Sequence, residues 1–515
     1  LSLLKSGFIV ATLTFVSRIF GLVRELFIAN YFGTNLYADA VNTAFKFPNL
    51  FRRIFGEGAL ASVFVPIYSS ELQVDNNKAK IFASEIFTIL TIFLTFLTII
   101  LQIFMPQILT IIAPGFIQDE DKFNLSVLLC RITTPYMLFI SLAALIGGIE
   151  NSHKRFASFA FVPIILNIFV ILSCFFGIQE REKSIYVSSG IVVGGVFQLI
   201  FMYSACRVNG IKLNLIRPKK LSKDSFLFFK NMIPATIASS VTQLNLFVSQ
   251  AIASFAPGAI SILSYSDRIY QFPLSIIGIC FGTILLPSLS AHYKKKEFEE
   301  AIKLQTQAIK LSLFLSLACM FGIISLAHQI MHVIYERGAF TEIDTMKTAE
   351  TIAIFALGLP AFILNKVLTP ILFSKLDTKT PMKITTITII CNIILNALLI
   401  KDFEHLGIAI GTTISSWVNI ILLLTHFKRK KIDLLSEKIG IFILKVLVIG
   451  IIMSIFISLS ANQLEQLIYN NTGILKFITL FVIIIFGSAL YFGLAIISKI
   501  VTKDDLKRLF RKKAP

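Results

Sequence analysis

About fourteen apolar runs, each near or above the ~20 residues needed to cross a bilayer, follow one another along this chain of 515 residues. They lie near 5–32, 40–70, 81–113, 124–150, 156–177, 185–206, 226–255, 259–290, 304–335, 348–373, 382–400, 405–426, 438–460 and 474–498. Backbone inside hydrocarbon must satisfy its own hydrogen bonds, so runs of this length fold as helices. The expected fold is an all-α polytopic membrane protein. Composition agrees: 15% of residues are charged, against about 25% in a soluble domain.

The formal net charge of +19 would suit a nucleic-acid partner, but its distribution points to a membrane. With the N-terminus inside, every second loop should be basic. Arg207, Lys212, Arg217, Lys219, Lys220 and Lys223 fall on one such loop, Lys294, Lys295, Lys296 and Lys303 on the next. Lys375, Lys379 and Lys383 follow, then Lys428, Arg429, Lys430, Lys431 and Lys438, and the basic tail from Lys499. The alternate loops carry Asp119, Glu120, Asp121, Glu336, Glu342 and Asp344 and few bases. Both termini are thus expected in the cytoplasm and no nucleic acid is expected. The first apolar run is long and leads into Arg18 and Arg24, so it is expected to act as the insertion signal without cleavage. The tail is expected to lie on the anionic inner leaflet.

The loops are short and no GxxxxGK[ST] occurs, so any transport must draw on a gradient, the membrane potential or removal of the substrate. Cys130, Cys174, Cys206, Cys280, Cys319 and Cys391 are isolated, which argues against disulfide or zinc frameworks. His328 and His332 stand one helical turn apart but lack a third ligand nearby. The spans near 226–255, 382–400 and 405–426 hold Asn245, Asn392, Asn396 and Asn419 but no carboxylate, which disfavours a sodium site. No cofactor, no metal and no enzymatic chemistry are expected. Two segments share a pattern: Phe47-Pro48 to Pro66, and Phe272-Pro273 to Pro287. The repeat suggests two six-helix lobes, 1–220 and 221–430, with two further helices and the tail in 431–515.

One stretch, DAVNTAFKFPNLFRRIFGE from Asp39 to Glu57, is unlike the others. Asp39, Asn42, Lys46, Asn49, Arg53 and Glu57 recur at helical spacing and form one polar face. A charge facing lipid costs several kcal/mol, so this face must meet protein or water. Pro48 inside it, with Gly56 and Gly58 beyond, predicts a bend or break. Arg18, Arg24, Lys46, Arg52, Arg53, Arg268 and Lys366 form a central basic set, with only Asp39, Glu57 and Asp267 as acidic companions. Structural ion pairs alone would be near balance, so the excess argues for an anionic ligand. Arginine's planar fork, which stays charged, suits phosphate or carboxylate. Arg52 and Arg53 lie about 100° apart on a helix, so one is expected on the ligand and the other on Glu57 or the rim. A second cluster, Lys366 to Lys383, reads as a span followed by a capped turn at Asp377, Thr380 and Pro381, with a gate as the alternative reading.

SRIFGLVRE (17–25), AFKFPNLFRRIFGEGA (44–59), FVPI (64–67), APGF (113–116), DRIYQFP (267–273), GTILLPSLS (282–290) and KTPMK (379–383) resemble the MurJ family, also called MviN. These are lipid II flippases of the bacterial inner membrane, within the multidrug/oligosaccharidyl-lipid/polysaccharide exporter superfamily. The resemblance implies two six-helix lobes around a central cationic cavity, with two C-terminal helices forming a groove for the polyprenyl tail. It implies outward movement of lipid II, undecaprenyl-pyrophosphoryl disaccharide pentapeptide, by alternating access. Family positions of importance fall on Ser17, Arg18, Arg24, Asp39, Asn49, Arg52, Glu57, Arg268 and Lys366. On this footing Arg24, Arg52 and Arg268 hold the pyrophosphate, assisted by Arg18, Lys366, Asn49 and Ser17. Asp39, Glu57, Arg53 and Asp267 serve charge pairing or gating, with Asp39 and Glu57 on arginines when substrate is absent. The expected partners are lipid II, membrane lipids and the cell-wall synthesis machinery, with the chain itself a monomer. Gln271 departs from family members that are acidic there. The alternative is export of another anionic polyprenyl-linked glycan or amphipathic molecule.

Overall fold

The structure is a computed structural model, and it describes residues 3–53, 60, 62–211, 213–216, 222–436, 439–469 and 473–500. Among these the regular structure is helical and no strand occurs. The first helices are α1 (Leu3–Phe32), α2 (Leu36–Phe51), α3 (Val65–Val74), α4 (Asn76–Ile103), α5 (Met105–Ile112) and α6 (Glu120–Thr133). Then come α7 (Tyr136–Ser152), α8 (Ala157–Ser173), α9 (Glu180–Val208), α10 (Lys223–Ala253), α11 (Ala259–Lys294) and α12 (Phe298–Tyr335). The last are α13 (Glu342–Ser374), α14 (Lys379–Arg429), α15 (Gly440–Gln463), α16 (Glu465–Tyr469) and α17 (Ile474–Ile497).

Among the described residues, eight membrane-spanning candidates satisfy both length and apolarity, counting α6 and α7 as one. Their patterning is that of a lipid-facing protein. On α4, Ile92, Phe96, Ile99 and Ile103 are exposed while Glu85, Thr88 and Thr98 are buried. Hydrocarbon can cover the apolar face, and polar groups turn inward to find partners. Thr88 and Thr98 bond the carbonyls of Ser84 and Leu94 one turn back.

Two expected spans, 382–400 and 405–426, are joined in α14 across a sharp kink at Glu404 (φ 47°, ψ −127°). Its two arms fold back closely, since a Cβ built on Gly411 would lie 2.2 Å from Asn396 Oδ1. The expected break after Pro48 also has a structural counterpart. Regular α-helix ends at Phe51, and Arg52 and Arg53 wind as a π-helical turn. Widened turns of this kind re-aim side chains and bend a helix.

By compactness the chain divides into two units, Leu1–Ser261 with Arg337–Phe340, and Ile262–Glu336 with Thr341–Pro515. α10 falls in the first of these units, where it packs on α4 and α5. In the second unit α15 and α17 are built onto α12 through a core of Phe314, Leu317, Val446, Met453, Leu480 and Tyr491. Tyr491 donates its hydroxyl to the Phe314 carbonyl at 2.8 Å. The short α16 between them docks through Tyr469, whose hydroxyl meets His328 Nδ1 at 2.7 Å. Beside it, His332 lies 3.0 Å from Glu336.

Candidate functional site

α2 begins behind Asn35, whose side chain accepts from the amides of Tyr37 and Ala38. One turn in stands Asp39, fully buried. Its carboxylate accepts from Lys122 Nζ at 2.7 Å, the Gly258 amide at 3.0 Å, and both the amide and hydroxyl of Ser261, at 2.9 and 2.8 Å. Gly258 and Ser261 lie at the start of α11, where amides have no intrahelical acceptor and the helix dipole favours negative charge. Asp39 therefore satisfies a helix N-terminus and an ammonium together. The expectation that Asp39 pairs with an arginine is corrected: its cation is Lys122. The reason is geometric, since α2 and α6 run side by side and place Asp39 and Lys122 at one level. The turn is tight. Gly258 has φ +71°, and a Cβ there would meet the Thr34 carbonyl oxygen at 2.6 Å.

Arg24 on α1 is also buried, at 5% exposure. Nη1 donates to Asn167 Oδ1 of α8 at 3.0 Å, and Nη2 to Glu25 Oε1 at 3.1 Å. The Phe45 ring of α2 lies 4.3 Å from its Cζ. Three helices thus converge on one guanidinium, and cation–π and ionic contacts both strengthen where water is excluded. Further along α2, Arg52 Nε donates to Asn49 Oδ1 at 3.2 Å, which joins two of the expected ligand residues one turn apart. Arg53 is exposed. Ser17 enters through its carbonyl, which accepts from Asn167 Nδ2 at 3.4 Å. Arg18 is exposed on α1. Glu57 lies outside the described residues.

The second unit holds the remaining members. Arg268 is exposed on α11, and its neighbour Asp267 accepts from Gln271 one turn on. The Gln271 amide thus meets Asp267 rather than acting as an acidic partner for Arg268. Tyr270 packs against Phe355 and Phe362 of α13, the first ring tilted and the second stacked, with centroids 4.9 and 5.6 Å away. Lys366 of α13 lays its aliphatic stem over Gly278 of α11: a Cβ built there would lie 3.6 Å from Lys366 Cγ. In the following loop Asp377 Oδ1 accepts from the Thr380 amide at 3.0 Å. Hydrogen bonds from Thr380 hold the Asp377 carboxyl below the usual range. This is the expected capped turn.

Sequence reasoning missed Lys122, Glu25 and Asn167. Lys122 had a signal: it is the one base in the acidic loop 114–123. Asn167 had one too, as the single amide within the apolar run Val162–Leu172. Glu25 had none, because adjacent helical residues do not ordinarily face each other.

The profile of the lipid II flippase MurJ family matches residues 28–486. A probable lipid II flippase MurJ of Rickettsia prowazekii (strain Madrid E) is 48% identical over 98% of this chain and 99% of its own length. One from Rhizobium tropici is 36% identical over 100% of this chain and 98% of its own. Among solved structures, a lipid II flippase MurJ in an inward closed conformation superposes with a TM-score of 0.79 at 27% identity, covering 94% of this chain and 97% of that one. An inward-facing multidrug resistance MATE family transporter of the MOP superfamily shares the fold, with a TM-score of 0.65 at 13% identity over 83% of this chain and 99% of that one. With the family profile matched over residues 28–486 and a relative 48% identical along nearly its whole length, this chain belongs to the lipid II flippase MurJ family.

Proposed function

We propose that this protein carries lipid II from the inner to the outer leaflet of the bacterial cytoplasmic membrane. The observation that carries the reading is the buried Arg24 guanidinium, held by Asn167, Glu25 and Phe45 within a helical membrane protein of this family. Arg24, Arg52 and Arg268 take the pyrophosphate, whose oxygens match the arginine fork. Arg18, Lys366, Asn49 and Ser17 line its path, and Arg53, Glu57 and Asp267 exchange partners as it passes. Asp39, on Lys122 and the start of α11, closes the end of the first unit that bears the acidic loop.

In this reading the chain works as a monomer beside the cell-wall synthesis machinery, by alternating access, with both termini cytoplasmic. The lobes that move are the six-span groups 1–220 and 221–430. The pair in 431–515 offers the polyprenyl chain an apolar track, and the exposed Ile451, Ile455, Phe481 and Ile485 support such a surface. Membrane potential can contribute about 2.3 kcal/mol per elementary charge per 100 mV. The test is complementation in a bacterium depleted of its own lipid II flippase, with lipid II on the outer face measured directly. Restored exposure is expected, with loss in R24A, R52A and R268A variants that still insert. Normal insertion without restored exposure would overturn the reading in favour of another anionic polyprenyl-linked cargo.

A further inference from the structure

We propose that Asn167 is a positioning residue for transport, setting the direction of the Arg24 guanidinium. The inference rests on the reading of Arg24 as a substrate-binding group and deepens it. Asn167 sits mid-way along α8 and is 4% exposed. Its amide spans two points on α1: Oδ1 accepts from Arg24 Nη1 at 3.0 Å, and Nδ2 donates to the Ser17 carbonyl at 3.4 Å. Ser17, Gly21 and Arg24 share one helix face. Gly21 lies between the two contacts, and a Cβ built there would come 3.8 Å from Asn167 Nδ2. The missing side chain leaves room for the amide to lie across α1.

The orientation of that amide is fixed. A flip would set Oδ1 against the Ser17 carbonyl and Nδ2 against the guanidinium, acceptor on acceptor and donor on donor. A single donor–acceptor pair therefore registers Arg24 against the backbone of its own helix through a residue of another. Glu25 supplies charge to Arg24 but stands next to it in sequence and rotates with it. Asn167 is the contact that ties the guanidinium to α8. A phosphate-binding fork needs this kind of outer support, because small displacements of a charge-assisted contact weaken it strongly.

The experiment measures outer-face lipid II exposure in cells whose only flippase is this chain, with insertion quantified for each variant. N167L keeps the volume and removes both polar contacts. The expected result is about a tenfold loss for N167L, the scale of one hydrogen bond to a charged group. In the double variant R24A/N167L exposure should fall no further than in R24A alone. N167A, which removes the same acceptor, replaces N167L if the latter does not accumulate. Near-normal exposure in N167L or N167A, or multiplied losses in the double variant, would each overturn the positioning role. Wild-type exposure in R24A is a different outcome: it removes the underlying reading of Arg24 as a ligand group.

Discussion

Charged groups of the candidate site are held differently in the two units. In the first, Asp39 and Arg24 take partners from other helices, over separations of 83 residues to Lys122 and 143 to Asn167. In the second, Asp267 takes Gln271 from the next turn of its own helix, and Arg268 beside it is exposed. A buried charge with cross-helix partners fixes helices against one another, and its loss strands the partner. An exposed charge paired within its helix constrains only its own rotamer. The first unit therefore supplies a rigid frame for cationic side chains, and the second supplies more adaptable ones.

The largest expected effect breaks that frame. D39A leaves the buried Lys122 without its carboxylate and should cost about 3–5 kcal/mol of stability, read as a lowered thermal transition of the purified protein. D39N/K122M removes both charges and should recover part of the loss. If D39A melts like the native chain, the pair does not brace the first unit. Next, R24A should reduce outer-face lipid II about a hundredfold, the scale of a lost transition-level contact to a charged group. R268A should lose less, its side chain being exposed where that of Arg24 is buried. Equal losses would erase the distinction between the units.

A backbone test comes third. G258A places a Cβ against the Thr34 carbonyl at a positive φ and should cost about 2 kcal/mol, visible in the same melting assay. By contrast Q271A, which removes a same-helix bond on an exposed face, should change stability by less than about 0.5 kcal/mol. The smallest effect concerns the turn after α13. The Asp377 carboxyl titrates low because Thr380 donates to it. Its contribution is present above the ordinary carboxylate range and is lost as pH falls through the lowered value. The melting difference between the native chain and D377N should therefore be largest near neutrality and shrink toward strong acid.

Short-range features were legible in the sequence. Apolar runs marked the helices, Asn49 and Arg52 stand one turn apart as the spacing required, and the turn at Asp377 forms as its residues predict. The contacts that cross the fold were not. Nothing in the stretch around Asp39 identifies Lys122 as its cation, since the choice depends on which helices become neighbours. Nor does α1 reveal that Asn167 lies over Gly21, a glycine whose use appears only once α8 packs there. The break at Glu404 fell at the expected span boundary, but the close return of one arm on the other at Asn396 and Gly411 did not follow from apolarity, which marks where a helix meets lipid and not how its ends join.

The most direct measurement is flipping by the purified chain in liposomes, with a fluorescent lipid II and a membrane-impermeant quencher. Protein-dependent transfer between leaflets is expected, slowed in R24A and lost when the pyrophosphate is replaced by an uncharged linkage. Equal transfer by the native chain and R24A, or equal transfer of the uncharged lipid, would contradict the claim that cationic side chains of this protein carry lipid II by its pyrophosphate.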